Sequence, residues 1–543
     1  MGYLIVLVIT VLLTLWGLSM LFAKAGEASW KAWIPGLNLV VWAKLIGRQP
    51  TWLLWLLVPI VNIFVLAYML IELVNSFGKW GFGEQTAAVV APFLYLPLLG
   101  KAPGSTKYNN EEWTFDKKDA TRRVWPAIYN KNDKEVNYFG PTFLLPIQAR
   151  PPKGMVREWA DSIVFAVFAA SFIRMFLIEA FTIPTASMES TLLVGDYLFV
   201  SKVHYGSRTP SCPLALPLVH NQVPFTTMES YLTWPKFNMY RFPALEKVER
   251  YSPIVFNYPE GDSIIPGHAF GDNYYDYLRG AYRPKMTLKE LHENFDVICR
   301  PVDKRDHYIK RCVGIPGDVI EVKDHVLYVN NEKSPDFTNM QYLYIVQSTQ
   351  QLDLDEFLAK DIELEYLNTS QDSLKRSLVN YAAHLDQTKL AYLKSIKSIV
   401  KCQIRPAEPY HPNTKFPYSD MIKWTDDNFG PIKLPTKGST IPLNALNVAL
   451  YKRAITAYEG NTLEEKNGQY LINGNPASSY TFKMDYYWMM GDNRHASADS
   501  RTFGYVPQDH IVGKPLFIWF STVRANIANG VRFERIFTSA NKK

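Results

Sequence analysis

Apolar positions follow two rhythms along this chain. Near the N-terminus they form long unbroken runs: residues 1–22, MGYLIVLVITVLLTLWGLSMLF, carry no charge, and 51–74, TWLLWLLVPIVNIFVLAYMLIELV, are mostly apolar. As a helix, each is long enough to cross a hydrocarbon core of about 30 Å. A third run, 86–100, TAAVVAPFLYLPLLG, is shorter and holds prolines, which fits a tilted span or a re-entrant piece. A fourth, 162–180, has Arg174 and Glu179 near its far end. From 181 onward the rhythm shortens to alternating stretches punctuated by Pro and Gly: YLFVSKVHYG, SPIVFNYP, HYIKRCVGIPGDVIEV, HVLYVNN, QYLING, YYWMMGD and HIVGKPLFIWFS. That spacing predicts β-strands joined by tight turns. The stretch 342–402 differs: YLYIVQS reads as a strand, and DLDEFLAKD, SLKRSLVNYAAHL and TKLAYLKSIKSIV read as helices, a small α/β insertion within a β domain.

Charge sets the orientation of the runs. The 23–50 loop holds Lys24, Lys31, Lys44 and Arg48 against Glu27, and in 101–161 Lys and Arg outnumber Asp and Glu. If both basic segments are cytoplasmic, the N-terminus lies outside, the four spans alternate without conflict, and everything after 180 is exported. "AKA" at Ala23–Ala25 resembles a signal cleavage site, but Met1-Gly2-Tyr3 offers no basic n-region, so a retained anchor is expected. A length of 543 residues implies two or three domains. A hydrophobic content of 48% with mean hydropathy -0.11 fits a few membrane segments on a larger water-facing part, not a polytopic transporter. Net charge +7 without a long basic block argues against a nucleic-acid groove. Cys212, Cys299, Cys312 and Cys402 lie far apart with no CxxC, and the histidines show no HExxH-like spacing. No metal or other cofactor is expected, and pairing of the cysteines stays open.

Three segments carry candidate chemistry. FTIPTASMESTLLVGD (181–196) crowds Thr185, Ser187, Ser190 and Thr191 directly after an apolar helix. Lys310 sits on a strand-like run in HYIKRCVGIPGD, beside Tyr308, Ile309 and Val313. MMGDNRHASADSR makes a dense polar turn. Singly, each has a plainer reading: a solvated linker, a strand-edge lysine, a salt-bridged turn. In that order, IPTASMESTLLVGDYLFVSK, DHYIKRCVGIPGD and GDNRHASADSRTFGYVP resemble the bacterial type I signal peptidases, membrane-bound serine proteases with a Ser/Lys dyad. The resemblance covers roughly 160–335 and 425–525, and the insertion and extra N-terminal spans resemble the Bacteroidetes-type members.

The resemblance implies a mainly β exported catalytic domain of the signal-peptidase/repressor-peptidase-like fold, with a small α/β insertion, behind α-helical transmembrane segments. The expected organisation is an N-terminal membrane region 1–100 (spans about 1–22, 51–74 and 86–100) and a cytoplasmic segment 101–161. A transmembrane helix 162–180 leads into the catalytic domain 181–341 and 425–530, interrupted by the insertion 342–424 and followed by a tail 531–543. It implies Ser187 as nucleophile and Lys310 as general base. Thr185 falls at an oxyanion-hole hydroxyl, beside the Ser187 N–H, and Ser497 at a hydroxyl that orients the lysine. Asp492, Arg494, Asp499, Arg501 and Arg311 match charges that hold the turn together, and Phe181, Ile183, Met188, Tyr308 and Ile309 match shallow pockets for Ala-sized side chains. The implied partners are preproteins cut at Ala-X-Ala sites, the bilayer of the bacterial inner membrane, and the secretion translocon as a neighbour. Two departures stand out: Ser190 replaces a common proline, and His495 replaces the usual Asp after GDNR, which puts local turn geometry in doubt.

The chemistry agrees with the motif. A serine hydroxyl needs a base, and a lysine of ordinary pKa near 10.4 is about one part in a thousand neutral near pH 7. Burial must lower it by about 2–3 units, and apolar neighbours are the means. The competing readings are a degenerate, non-cleaving protease domain, which would have lost Ser187 or Lys310, a small transporter, and a self-cleaving repressor-type peptidase, which needs no membrane spans.

Overall fold

The computed structural model describes residues 2–46, 48–57, 61–77, 79, 81–102, 155–226, 228–267, 273–281, 283–367 and 378–541. Two compact units divide the chain, residues 1–158 and 159–543.

The first unit is helical. Its opening helix, Gly2–Lys24, packs against Pro92–Lys101. Gly17 permits the approach, since a Cβ there would lie 2.5 Å from Pro97 N. Lys24 Nζ closes the second helix by donating to Leu99 O (2.9 Å) and Ala102 O (2.8 Å). The runs expected as single spans are broken. Residues 50–57 form a 3₁₀ helix and Val61–Asn75 a separate α-helix, with 58–60 outside the described residues. The 86–100 run divides into Phe82–Val90 and Pro92–Lys101 at Ala91, because proline disfavours helical backbone in the residue before it. The 23–50 stretch, expected as a loop, holds a 3₁₀ turn, Ser29–Trp33, and a helix, Leu37–Leu45. Most of the expected cytoplasmic segment, 103–154, lies outside the described residues.

Among the described residues no helix is long and apolar enough to cross a membrane. In Gly2–Lys24 the side chains up to residue 8 fall outside that description, as do several between 155 and 168.

The second unit begins within the helix Met155–Phe176. It ends four residues before the expected 180; Glu179 already belongs to the strand Ile178–Thr182. That strand is one edge of a seven-stranded antiparallel sheet ordered 178–182, 196–201, 511–521, 253–257, 307–314, 486–490, 506–507. Most alternating runs of the sequence are these strands, while HVLYVNN and QYLING fall in separate smaller sheets, and the catalytic region is mainly β. Burial of both faces of Pro253–Asn257 and Tyr486–Met490 places the lysine strand, His307–Gly314, between two wholly buried neighbours. A second sheet joins 429–433, 319–323, 326–329 and 332–333.

Within the inserted stretch, 365–366, 379–385, 342–348 and 399–404 form a four-stranded sheet with its own core around Val346, Phe357, Tyr381, Leu385 and Leu393. Of the helix expected in SLKRSLVNYAAHL, 373–377 lie outside the described residues and the rest is instead the strand Val379–Leu385, paired in register with Tyr342–Ser348. Likewise the SIV end of TKLAYLKSIKSIV leaves the helix Gln387–Lys394 for the strand Ile399–Ile404. Val379 and Tyr381 suit a pleated surface, and the partner strand decided the outcome over local apolar spacing. The C-terminal stretch expected as a tail is laid along the 511–521 strand, with Ala540 fully buried.

Candidate active site

Ser187 lies in a short 3₁₀ turn, Ala186–Met188, just beyond the edge strand. Packing fixes the turn from below: Met188 is fully buried among Leu192, Leu198, Val255 and Ile518. Lys310 projects from the middle of the sheet, opposite Ile254. Its Nζ lies 2.7 Å from Ser187 Oγ and donates to Ile309 O at 3.0 Å. Both residues are buried, Ser187 at 7% exposure and Lys310 at 4%. Burial pulls the lysine ammonium down to about 8, against a smaller upward pull from Asp499 and Asp492.

Those two carboxylates are already occupied. Arg311 holds Asp492 through Nε–Oδ1 at 2.7 Å and Nη2–Oδ2 at 2.6 Å, and Thr191 Oγ1 donates to the same carboxylate at 2.6 Å. Arg501 holds Asp499 through bonds of 2.9 and 2.7 Å, and Gly491 N donates to Asp499 at 3.1 Å. Burial pushes the Asp499 carboxyl up, and Arg501 more than reverses it, leaving it below the ordinary value. These forked pairs fix the turn's geometry while screening the lysine from a counter-ion. Arg494 lies in the same turn, and its carbonyl accepts from Arg501 Nη2 at 2.5 Å.

The turn touches Ser187 through its backbone. Asn493 N donates to Ser187 O at 3.2 Å and Asn493 Nδ2 to Ala186 O at 3.3 Å. Gly491 allows this contact, because a Cβ there would lie 2.5 Å from Ser187 O and closer still to Ser497 Oγ.

A groove of about 300 Å³ runs over Ser187 and Lys310. Phe181, Ile183, Met188, Tyr308 and Ile309 all line it, as does Thr185, which is exposed on extended backbone. Ser497 differs from expectation: its Oγ is buried with no hydrogen-bond partner among the described residues, and Ala496 and Ala498 on either side face the groove instead. Those two alanines and His307, whose ring meets Phe181 edge-on at 4.8 Å, went unremarked in the sequence. The Ala-Ser-Ala alternation was the available signal, since small side chains leave room for a close-lying chain.

Both departures from the motif have a geometric setting. Ser190 adopts φ 71°, which proline, locked near -65°, cannot reach. His495 Nε2 lies 2.8 Å from Asp427 Oδ1, and His325 Nδ1 meets the same oxygen at 2.6 Å. Spacing in sequence pointed to no such group, because Asp427 is 68 residues from His495 and 102 from His325. The three could hold a metal ion by composition. However, His495 Nδ1 accepts from Leu343 N at 3.0 Å, so the neutral ring carries its proton on Nε2 and donates to Asp427, leaving no lone pair there. The four cysteines are free.

The sequence model of the family described as "Signal peptidase, peptidase S26" matches residues 156–378 and 437–520, over half of the chain. The chain belongs to this family. It is a serine peptidase, and the matched segments contain Ser187, Lys310 and the 491–501 turn. Signal peptidase I of Haemophilus influenzae is 26% identical over 70% of this chain and 74% of its own length. Signal peptidase I of Rickettsia typhi is 23% identical over 68% of this chain and 81% of its own. For the Rickettsia massiliae enzyme of the same name the figures are 26%, 33% and 44%. A family of unknown function matches 30–111 in the helical unit.

Proposed function

We propose that this chain removes N-terminal signal peptides from exported preproteins, with Ser187 as nucleophile and Lys310 as general base. The observation that carries the reading is the 2.7 Å approach of Lys310 Nζ to Ser187 Oγ in a buried site where the ammonium loses its proton near pH 8. The neutral amine takes the hydroxyl proton as Oγ attacks the scissile carbonyl, and the ammonium returns it to the leaving amine. Thr185, with no side-chain cap bond and facing the groove, and the Ser187 N–H supply donors for the oxyanion.

The preprotein lies extended between residues 181–185 and 307–310, main chain to main chain, as strands add to a sheet edge. Small groove walls at Ala496 and Ala498 favour Ala-X-Ala sites. Attachment to the bacterial inner membrane, with the catalytic unit on the outer face, rests on the charge-free 1–22 run and the basic loops. The preprotein then arrives at the bilayer, beside the translocon. The test is incubation of the detergent-purified full chain with a preprotein bearing an Ala-X-Ala site, with the product N-terminus sequenced. Cleavage after the second alanine by the native protein and none by Ser187→Ala is the expected result; equal cleavage by both overturns the assignment.

A further inference from the structure

The inserted segment grips both turns of the catalytic centre. Three residues after the nucleophile, Ser190 Oγ donates to Asp386 Oδ2 at 2.7 Å, and Asp386 at the same time caps the helix Gln387–Lys394 by accepting from Lys389 N. Gln341, at the root of the inserted sheet, donates to Ser190 Oγ at 2.9 Å. Its backbone pairs with the opposite turn: Gln341 N to Asp492 O and Arg494 N to Gln341 O, both 2.9 Å. One residue further, His495 is held from two sides, by Leu343 N at Nδ1 and by Asp427 at Nε2. The dyad turns themselves touch through Asn493 and the Ser187 carbonyl.

The Ser187 turn, packed from below by Met188, is only three residues long and runs into a positive φ at Ser190. Backbone bonds from Thr191 N and Leu192 N to Met188 O close that turn, and the Ser190 hydroxyl ties it outward, to partners that both come from the insertion and its root. We propose that the insertion is a brace for the dyad, with Ser190 and His495 the positioning residues through which it fixes the nucleophile turn against the 491–497 turn. The inference rests on the Ser187/Lys310 reading. It assigns a task to the insertion, which among the described residues contributes nothing to the groove lining. Geometry of this kind sets rate more than affinity, because a small displacement of a reacting atom costs up to about 100-fold while leaving substrate contacts in place.

The experiment uses the full chain in detergent and a preprotein substrate, with kcat and KM measured separately. Ser190→Gly removes the hydroxyl and tolerates the positive φ; His495→Phe removes both ring bonds. Each lowers kcat about tenfold and their combination about 100-fold, with KM within twofold. His495→Asn, whose Oδ1 can still accept from Leu343 N of the insertion, recovers most of the loss. Asp386→Asn keeps the helix cap while weakening the bond from Ser190, and lowers kcat about threefold; it decides the matter should the larger changes not fold. Wild-type kcat per folded molecule in these variants, with only a lower melting temperature, overturns the brace. Ser187→Ala run alongside separates the two ideas: if it cleaves, the dyad reading falls, and if it is inert while the brace variants match wild type, the brace alone falls.

Discussion

Two lysines of the large unit, Lys310 buried and Lys202 mostly enclosed, sit in opposite company. Lys202 follows the strand Asp196–Ser201, and its Nζ sits 2.7 Å from Glu179, which Arg174 also meets at 2.7 Å. Lys310, in the middle of the sheet, has a serine hydroxyl at the same distance. Burial lowers both ammonium groups, but at Lys202 a carboxylate in direct contact opposes it, whereas the carboxylates near Lys310 are each bound to an arginine. Burial alone does not make a base. On the proposed reading, a buried lysine becomes one when its nearest oxygen carries a proton to be taken and the nearby carboxylates are each held by an arginine.

The sharpest way to break this contrast is to exchange the roles. Ser187→Ala and Lys310→Ala are expected to abolish preprotein cleavage with the fold intact by circular dichroism. Lys310→Arg is expected to fail as well, since a guanidinium stays protonated. Lys202→Met, by contrast, should leave kcat near wild type; its inactivation would erase the distinction between the two lysines. Next in size is Thr185. Losing one oxyanion donor lowers kcat by about 10²–10³-fold, so Thr185→Ala should show that loss with little change in KM, and Thr185→Ser should keep most activity. Near-native kcat in Thr185→Val would remove the hydroxyl from the mechanism.

At the paired lysine the effect belongs to stability. Glu179→Gln leaves two cations facing a neutral amide, a loss of about 3 kcal/mol readable in denaturant melts, with cleavage preserved at low temperature. The pH dependence needs no substitution and reports on Lys310 directly. Only neutral Lys310 serves as base, so kcat/KM should fall about tenfold per pH unit below about 8 and level off above it. The same lysine titrates near 10.4 when unfolded, so between about 8 and 10.4 the unfolded chain holds the extra proton and stability rises with pH. A rate profile flat from pH 5 to 10 contradicts the assignment.

Much of this was legible in the sequence because it is local. Period-two alternation marked the strands, and three motifs brought Ser187, Lys310 and the 491–501 turn into one frame before any coordinates. What escaped was set by partners far along the chain. Ser190 and Asp386 are 196 residues apart, and nothing near either announces the other. The 379–385 strand carries helix-like spacing that only its neighbour in the sheet overrules. The apolar runs of the first unit hid their breaks, although Pro92 marked one of them. Ser497, which the resemblance makes the residue that orients the lysine, has a hydroxyl with no hydrogen-bond partner among the described residues.

Gly491 acts as a feeler gauge. The gap between the two turns is one hydrogen atom wide at that position, and the smallest possible addition, a methyl, would press on the Ser187 carbonyl from one side and on Ser497 from the other. Clearances that fine are not set by any single bond but by the absence of material. The spacing of the dyad is thus machined into the chain by a residue that contributes no chemistry, and a collection of folded but silent alleles should be richer at 491 than at most positions with a functional group.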